Sequence, residues 1–475
     1  MKRTFAWLLF AAAVCIGVPA LSADKKDSAA DATKEKPDYS SVTLDEGKLT
    51  LSWGTYGRVQ FTGDLDGGQG KKLALADHPP RLEENPYLEL SFYSDYKLPD
   101  IEFGATITLA LFNLENMFHY SGDADALKLV PRNLYAEAKN ILDSGLFLWV
   151  GSRMHRGDDI YLLDYWPLDN LNTLGGALGW EMFDIKAALH VGVNRLNDDY
   201  DFQEIIIPGR SYGTEKVTTL DRQRVIMSLK FEQQFKDVWQ KLGFKYKVYA
   251  EVHYIPSGER RLQDKTIEKL DADNGYALGA QLGAWGFGRN SYVNLFFKYS
   301  KNLAAYNELS VPYGLNLDKT TDGAEAITFG FSGNYEYGMF GALYGGYVTR
   351  WLSAVPENYD VYDNQQVALA VRPMLFLWKY FRAGVELSYQ RKYSPGQADV
   401  IGTSSVPQIF KFSLIPALST GPGSLYRPEL RIVYTLSVLN EGARYTYPVG
   451  DKRRGDKLQH FIGFGAEWWF NAYGY

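Results

Sequence analysis

The chain has a single cysteine in 475 residues, Cys15. It lies inside an N-terminal apolar stretch that is expected to be removed on export, so the mature protein has no disulfide framework to hold it. No later stretch reaches the run of about 18 apolar residues that a membrane-spanning helix requires. The six histidines are scattered, with no HExxH and no C-x-x-C, and GxSxG, GxGxxG and P-loop patterns are missing. Zinc hydrolysis, nucleotide binding and the common nucleophile constellations therefore have no motif to rest on. Fifty Lys and Arg stand against 56 Asp and Glu, a net charge of -6. That balance gives no basic footprint for nucleic acid.

What is present is aromatic and glycine-rich: 34 Tyr, 45 Gly and 15% aromatic residues, with a low mean hydropathy. This suits long alternating strands with tight turns and aromatic belts. Residues 1–23 have a basic start at Lys2 and Arg3, an apolar core from Phe5 to Val18 and small residues before Ala23, the pattern of a signal peptide. Residues 24–50 are charged, poor in large apolar residues and expected to form a flexible arm. From Leu51 the pattern predicts eighteen strands, at 51–61, 86–96, 101–112, 132–140, 146–153, 174–182, 185–195, 224–232, 242–254, 274–285, 290–299, 324–333, 337–349, 366–376, 380–390, 406–416, 426–437 and 458–470. Most are 9 to 13 residues long, the length of a tilted membrane-crossing strand. Short turns alternate with long loops, as in a barrel across an asymmetric membrane. In the last strand Ile462, Phe464, Ala466, Trp468 and Phe470 form one apolar face. Gly463, Gly465, Glu467 and Trp469 form the other. So aromatic a strand needs a partner on both sides, and closure onto the first strand supplies it. The expected fold is all-β: a transmembrane antiparallel β-barrel of eighteen strands over 51–475, in the outer membrane.

In such a barrel inward positions are polar. Tyr56 and Arg58 share one strand face, as do Tyr87 and Glu89, with Arg81 just before them; this set can serve either a hydroxylated ligand or a contact within the wall. The stretch Trp149 to Gly176 interleaves Arg153, Arg156, Asp158, Asp159, Asp164 and Asp169 with Tyr161, Tyr165 and Trp166. A loop folded into the channel is the preferred reading; a divalent-cation site and a purely structural salt-bridge loop are the alternatives. Carboxylate pairs such as Asp159 with Asp164, or Glu89 with Asp159, could suggest glycoside hydrolysis, but among so many acids such pairs arise by chance.

At this stretch the chain resembles the maltoporin, or sugar-porin, family. The landmarks are YxR at Tyr56 to Arg58, RLxxNxYxEL from Arg81 to Leu90, RNLYAEAKNI from Arg132, WxGxRxxRxDD from Trp149 running into LLDYW, RPM at Arg372, RPELR at Arg427 and the terminal EWWF. The resemblance implies an eighteen-stranded homotrimeric channel for passive diffusion of malto-oligosaccharides, with no cofactor, no metal and no catalysis. It also implies a file of aromatics that stacks on sugar rings, at Tyr56, Tyr87 and either Trp468 or Trp469. The polar tracks beside it would be Arg58, Arg81, Glu89, Arg132, Asp159 and Asp164, with Arg156 in place of an arginine that falls on Gly157 and Trp166 at the constriction. The family's further aromatic falls on Gln366 and Val367, and its intersubunit Trp has only Phe118 or Tyr120 to stand in. A channel for other small solutes, or a surface enzyme or adhesin anchored by the barrel, are the other readings.

Overall fold

In a computed structural model, residues 41–44, 47–112, 128–210, 212–239, 241–355, 362–396 and 401–470 are described. Eighteen long strands follow one another: β1 (Leu49–Gly63), β2 (Tyr87–Leu98), β3 (Ile101–Phe112), β4 (Lys128–Ile141), β5 (Leu146–Arg156), β6 (Asn170–Met182), β7 (Ile185–Asn194), β8 (Arg224–Trp239), β9 (Leu242–Ile255), β10 (Asp273–Trp285), β11 (Tyr292–Asn302), β12 (Glu325–Tyr337), β13 (Phe340–Leu352), β14 (Asn364–Phe376), β15 (Phe381–Tyr393), β16 (Gln408–Ser419), β17 (Glu429–Leu439) and β18 (Leu458–Phe470). Each pairs antiparallel with the next, and β18 returns to β1 in the register Thr55↔Phe470 to Gly63↔Ile462. The sheet closes, as the apolar last strand demanded. Each of the eighteen stretches expected from the sequence overlaps a different strand.

The first strand begins earlier than expected. Ser41–Leu44, part of the supposed arm, pairs with Leu49–Ser52, covering the backbone of β1 below the point where β18 ends. The rest of the arm before Ser41, the 1–23 segment, Phe118 and Tyr120 lie outside the described residues.

Period-two alternation sorts the walls. In β10, Gly275, Ala277, Gly279, Gln281 and Gly283 are buried on the inner face, while Tyr276, Leu278 and Leu282 are exposed on the outer. An apolar outer band of this kind is what lipid contact requires. Most connections at one end are short, such as 99–100, 183–184 and 338–339; at the other end 64–86, 195–223, 256–272 and 303–324 are long. In outer-membrane barrels the long loops face the exterior.

Among the described residues, two exterior loops, 157–169 and 64–86, turn into the lumen. Loop 157–169, between β5 and β6, inserts Ile160, Leu162, Leu163 and Leu168 against Phe296, Leu343, Tyr347, Ala368 and Ala370 on the inner wall. Small residues there make the seat: a Cβ at Gly345 would lie 2.5 Å from Ile160 Cγ2, and one at Gly279 2.6 Å from Leu168 Cδ2. A larger side chain must push the loop toward the channel axis. Gly345→Leu is thus expected to leave the barrel assembled and heat-modifiable but to lower single-channel conductance roughly twofold, measured in planar bilayers.

Loop 64–86 packs Leu73 against Ile409 and Leu439 and Leu82 against Ile415 and Val433, and polar wall residues hold it as well. Lys411 Nζ lies 2.6 Å from Glu83, Gln390 Oε1 accepts from Leu75 N–H at 3.0 Å, and Gln366 Oε1 accepts from Asp77 N–H at 2.8 Å. Gln366, where the family carries an aromatic, is therefore 2% exposed beneath the loop. It anchors backbone rather than lining the path.

Candidate functional site

Register brings the first group together. Tyr56 lies opposite both Glu89 and Trp469, and Arg58 opposite Tyr87 and Glu467, so one inner patch of β1, β2 and β18 holds all six. The rings of Tyr56 and Tyr87 are 5.9 Å apart. The Arg58 guanidinium is 5.2 Å from the Tyr87 centroid and donates to the Tyr56 hydroxyl at 3.0 Å. Arg132 reaches the same patch because the β3–β4 register shifts between Thr108 and Leu109 and skips it; a bulge of this kind re-aims a side chain. Its guanidinium pairs with Glu89 at 3.0 Å and lies 5.5 Å from the Tyr87 ring, and it donates to the Tyr87 hydroxyl, which in turn donates to Glu89.

Loop 64–86 adds Arg81 through a short 3-10 turn, Arg81–Glu83. Arg81 donates to the Tyr56 hydroxyl at 2.7 Å, pairs with Glu84 and Glu467 at 3.2 Å each, and covers the ring of Tyr161 at 4.6 Å. Glu467 is the hub. Its side chain is 1% exposed and pairs with Arg81, Arg427 and Arg431 at 3.1–3.2 Å, and it accepts from the Tyr161 hydroxyl at 3.1 Å. Three guanidinium groups around one carboxylate satisfy its lone pairs where water is scarce.

Alternation also separates the terminal tryptophans. Trp469 shares the face of Glu467, meets Tyr161 edge-on at 6.2 Å and lies under Arg427 at 4.7 Å. Trp468 lies on the outer face, its ring against Gly57 and its Nε1 donating to Thr55 Oγ1 at 3.3 Å. It is not in the lumen.

Loop 157–169 supplies the acids and divides them. Asp158 spans to the far wall, pairing with Lys245 at 2.8 Å and accepting from Gln281 at 2.9 Å; Asp169 pairs with Lys230 at 3.3 Å and Lys247 at 3.5 Å. Lysines, then, meet these two carboxylates. Asp164, at φ 49°, faces the arginines. Burial alone would raise its carboxyl, but Arg81, Arg58, Arg156 and Arg132 outweigh it and hold Asp164 below the usual range. For Asp159 burial wins: despite the opposing Arg81, and with Asp164 and Asp158 adding repulsion, its carboxyl is pushed up to about 7.

That difference has a readable consequence. Below about pH 7 Asp159 carries its proton; above, it adds a negative charge to loop 157–169 inside the lumen. Cation preference, measured as reversal potential in a KCl gradient, is expected to rise between about pH 6 and pH 8 in the wild type and to stay flat in Asp159→Asn.

Arg156 and Trp166 stand apart from the row. Arg156 donates to Asn170 Oδ1 at 2.7 Å and covers the Trp166 ring at 3.9 Å, leaving Trp166 8% exposed. Trp166 is therefore packed within the loop base, whereas half-buried Tyr161 turns to Glu467 and Trp469. From the sequence, Arg427 and Arg431 are only a landmark of the resemblance, and Glu467 lies on the lumen face, none of the three with a role.

A family model described as LamB porin matches residues 51–470. The chain belongs to the LamB porin family. With its closed barrel, that makes it an outer-membrane porin. Among curated proteins no match is found. Solved structures it is similar to include OccAB2 of Acinetobacter baumannii (11% identity, TM-score 0.44, 88% of this chain and 98% of that one) and OccD3 (OpdP) of Pseudomonas aeruginosa (9% identity, TM-score 0.43, 91% and 93%). OmpT of Vibrio cholerae in its trimer form is similar at 10% identity and TM-score 0.39, over 89% and 99%.

Proposed function

We propose that this porin is selective for oligosaccharides, maltodextrins or chemically related chains, which it passes by facilitated diffusion. The observation that carries the reading is the inner patch with two aromatic pairs, Tyr87 with Tyr56 at 5.9 Å and Tyr161 with Trp469 at 6.2 Å, joined by Arg81, which reaches both Tyr56 and Tyr161, beside Arg58, Arg132 and Glu89. A pyranose ring has apolar C–H faces and a rim of hydroxyls, and an aromatic beside a charged hydrogen-bonding group matches both. Several modest contacts in sequence allow a chain to enter and still leave. The test is a titration of oligosaccharides of increasing length against ion current in planar bilayers.

A porin for other small solutes is the second reading, favoured by the shortness of the row, since Gln366 is taken up by loop 64–86. In that case current falls only with solute size and shows no saturation. We also propose export through cleavage after Ala23 and assembly as a homotrimer in outer-membrane lipid, following the family. Light scattering with the detergent contribution removed is expected to give three chains per particle; a single-chain particle would contradict it.

A further inference from the structure

At the periplasmic end of the barrel one connection is out of proportion. Between β16 and β17 the chain runs through 420–428, whereas 99–100, 183–184 and 338–339 are two-residue turns and 286–291 is six residues long. The sequence pattern had placed part of this segment, from 426, in a strand. The extra length turns inward along the wall. The Pro422 carbonyl accepts from Arg289 at 2.7 Å, the Ser424 N–H donates to Glu336 at 2.7 Å, and Arg382 donates to the carbonyls of Gly423 and Ser424. Glu336 belongs to β12 and Arg289 to the β10–β11 turn, so the segment crosses several strands from its own place in the sheet. Leu425 packs against the apolar cluster that seats loop 157–169.

Arg427 closes the contact. Its side chain is fully covered, and its Nη2 donates to the Tyr161 hydroxyl at 2.5 Å and pairs with Glu467 at 3.1 Å while its guanidinium covers Trp469. A loop entering from outside and a connection entering from the periplasm thus meet at one hydrogen bond inside the barrel.

We propose that segment 420–428 is the exit-side half of the constriction, and that Arg427 is a positioning residue that sets Tyr161 and Trp469 against each other. The width of the path is then fixed from both ends of the channel, whichever solute it carries. This does not depend on the sugar reading, because small-ion conductance and polymer exclusion report the constriction directly.

The test compares Arg427→Gln, Tyr161→Phe, their double variant and Arg289→Ala in full-length protein in planar bilayers. Arg289 anchors the far end of the segment, away from Trp469. Arg427→Gln is expected to raise KCl conductance about twofold, and Tyr161→Phe to add less in its presence than alone, since the contact they share is then already lost and only the Tyr161–Glu467 bond remains to remove. Arg289→Ala is expected to move conductance the same way by less. Polyethylene glycols added on the periplasmic side are expected to penetrate at larger size in these variants, with a smaller change from outside. Should Arg427→Gln fail to assemble, Tyr161→Phe against Arg289→Ala makes the same comparison. Unchanged conductance in Arg289→Ala and Tyr161→Phe, effects of Arg427→Gln and Tyr161→Phe that multiply independently, or equal changes in polymer penetration from both sides would overturn the proposal.

Discussion

Glu467→Ala is expected to be the most damaging single substitution in the lumen. It would leave Arg81, Arg427 and Arg431, all at 7–8% exposure, crowded around a vacated position, with Glu429 alone between Arg427 and Arg431 and Glu84 alone beside Arg81. Removing one partner of a buried ion pair costs about 3–5 kcal/mol, far more than the intact pair contributes, because the remaining charges are desolvated and repel. The folded barrel should then convert to its unfolded electrophoretic form at a temperature well below that of the wild type. Glu467→Gln keeps two polar atoms at the same place and should fall between the two. Because Tyr161 also bonds to Glu467, both variants should loosen loop 157–169 in channels that do assemble.

The second large effect concerns the paired tryptophans. Trp469→Ala removes the ring that joins Tyr161 and Arg427 on the lumen face, and losing an aromatic at a binding hot spot costs about 1–2 kcal/mol. Oligosaccharide affinity is expected to fall about five- to thirtyfold. Trp468→Ala, one residue away on the outer face, should leave affinity unchanged and affect only the packing over Gly57 and the hydrogen bond to Thr55. Current-fluctuation analysis on both variants separates them. Equal losses of affinity would mean that the row does not extend to β18. Substituting Gln366→Trp to lengthen the row is expected instead to unseat loop 64–86, since that side chain holds Asp77 N–H.

The barrel was legible because its signal is local. Period-two alternation, strand length and the aromatic face of 458–470 each follow from neighbouring residues, and closure follows from the need to cover an apolar edge. The inner patch was legible for the same reason: Tyr56 with Arg58, Tyr87 with Glu89 and Glu467 with Trp469 are all two apart on strands. What could not be read depends on distant partners. Ile160 finds its seat at Gly345 and Leu168 at Gly279 only once the barrel has closed. Arg132 points inward because of a register shift against β3, which alternation along β4 alone does not reveal. Tyr161 and not Trp166 turns toward the inner patch because the short turn Tyr161–Leu163 and the left-handed Asp164 rotate the loop, placing one ring toward Glu467 and the other beneath Arg156. Segment 420–428 was hidden because its proline and following apolar residues read as the start of β17.

The central claim, that a short aromatic row flanked by arginines and carboxylates gives this porin affinity for sugar chains, is tested most directly by current block in planar bilayers. Wild-type channels should show saturable block by linear maltodextrins, with affinity rising from two rings to about six as successive aromatics are engaged. Block that grows only in proportion to concentration and tracks solute size, the same for maltodextrins and for polyethylene glycols of equal radius, would contradict it.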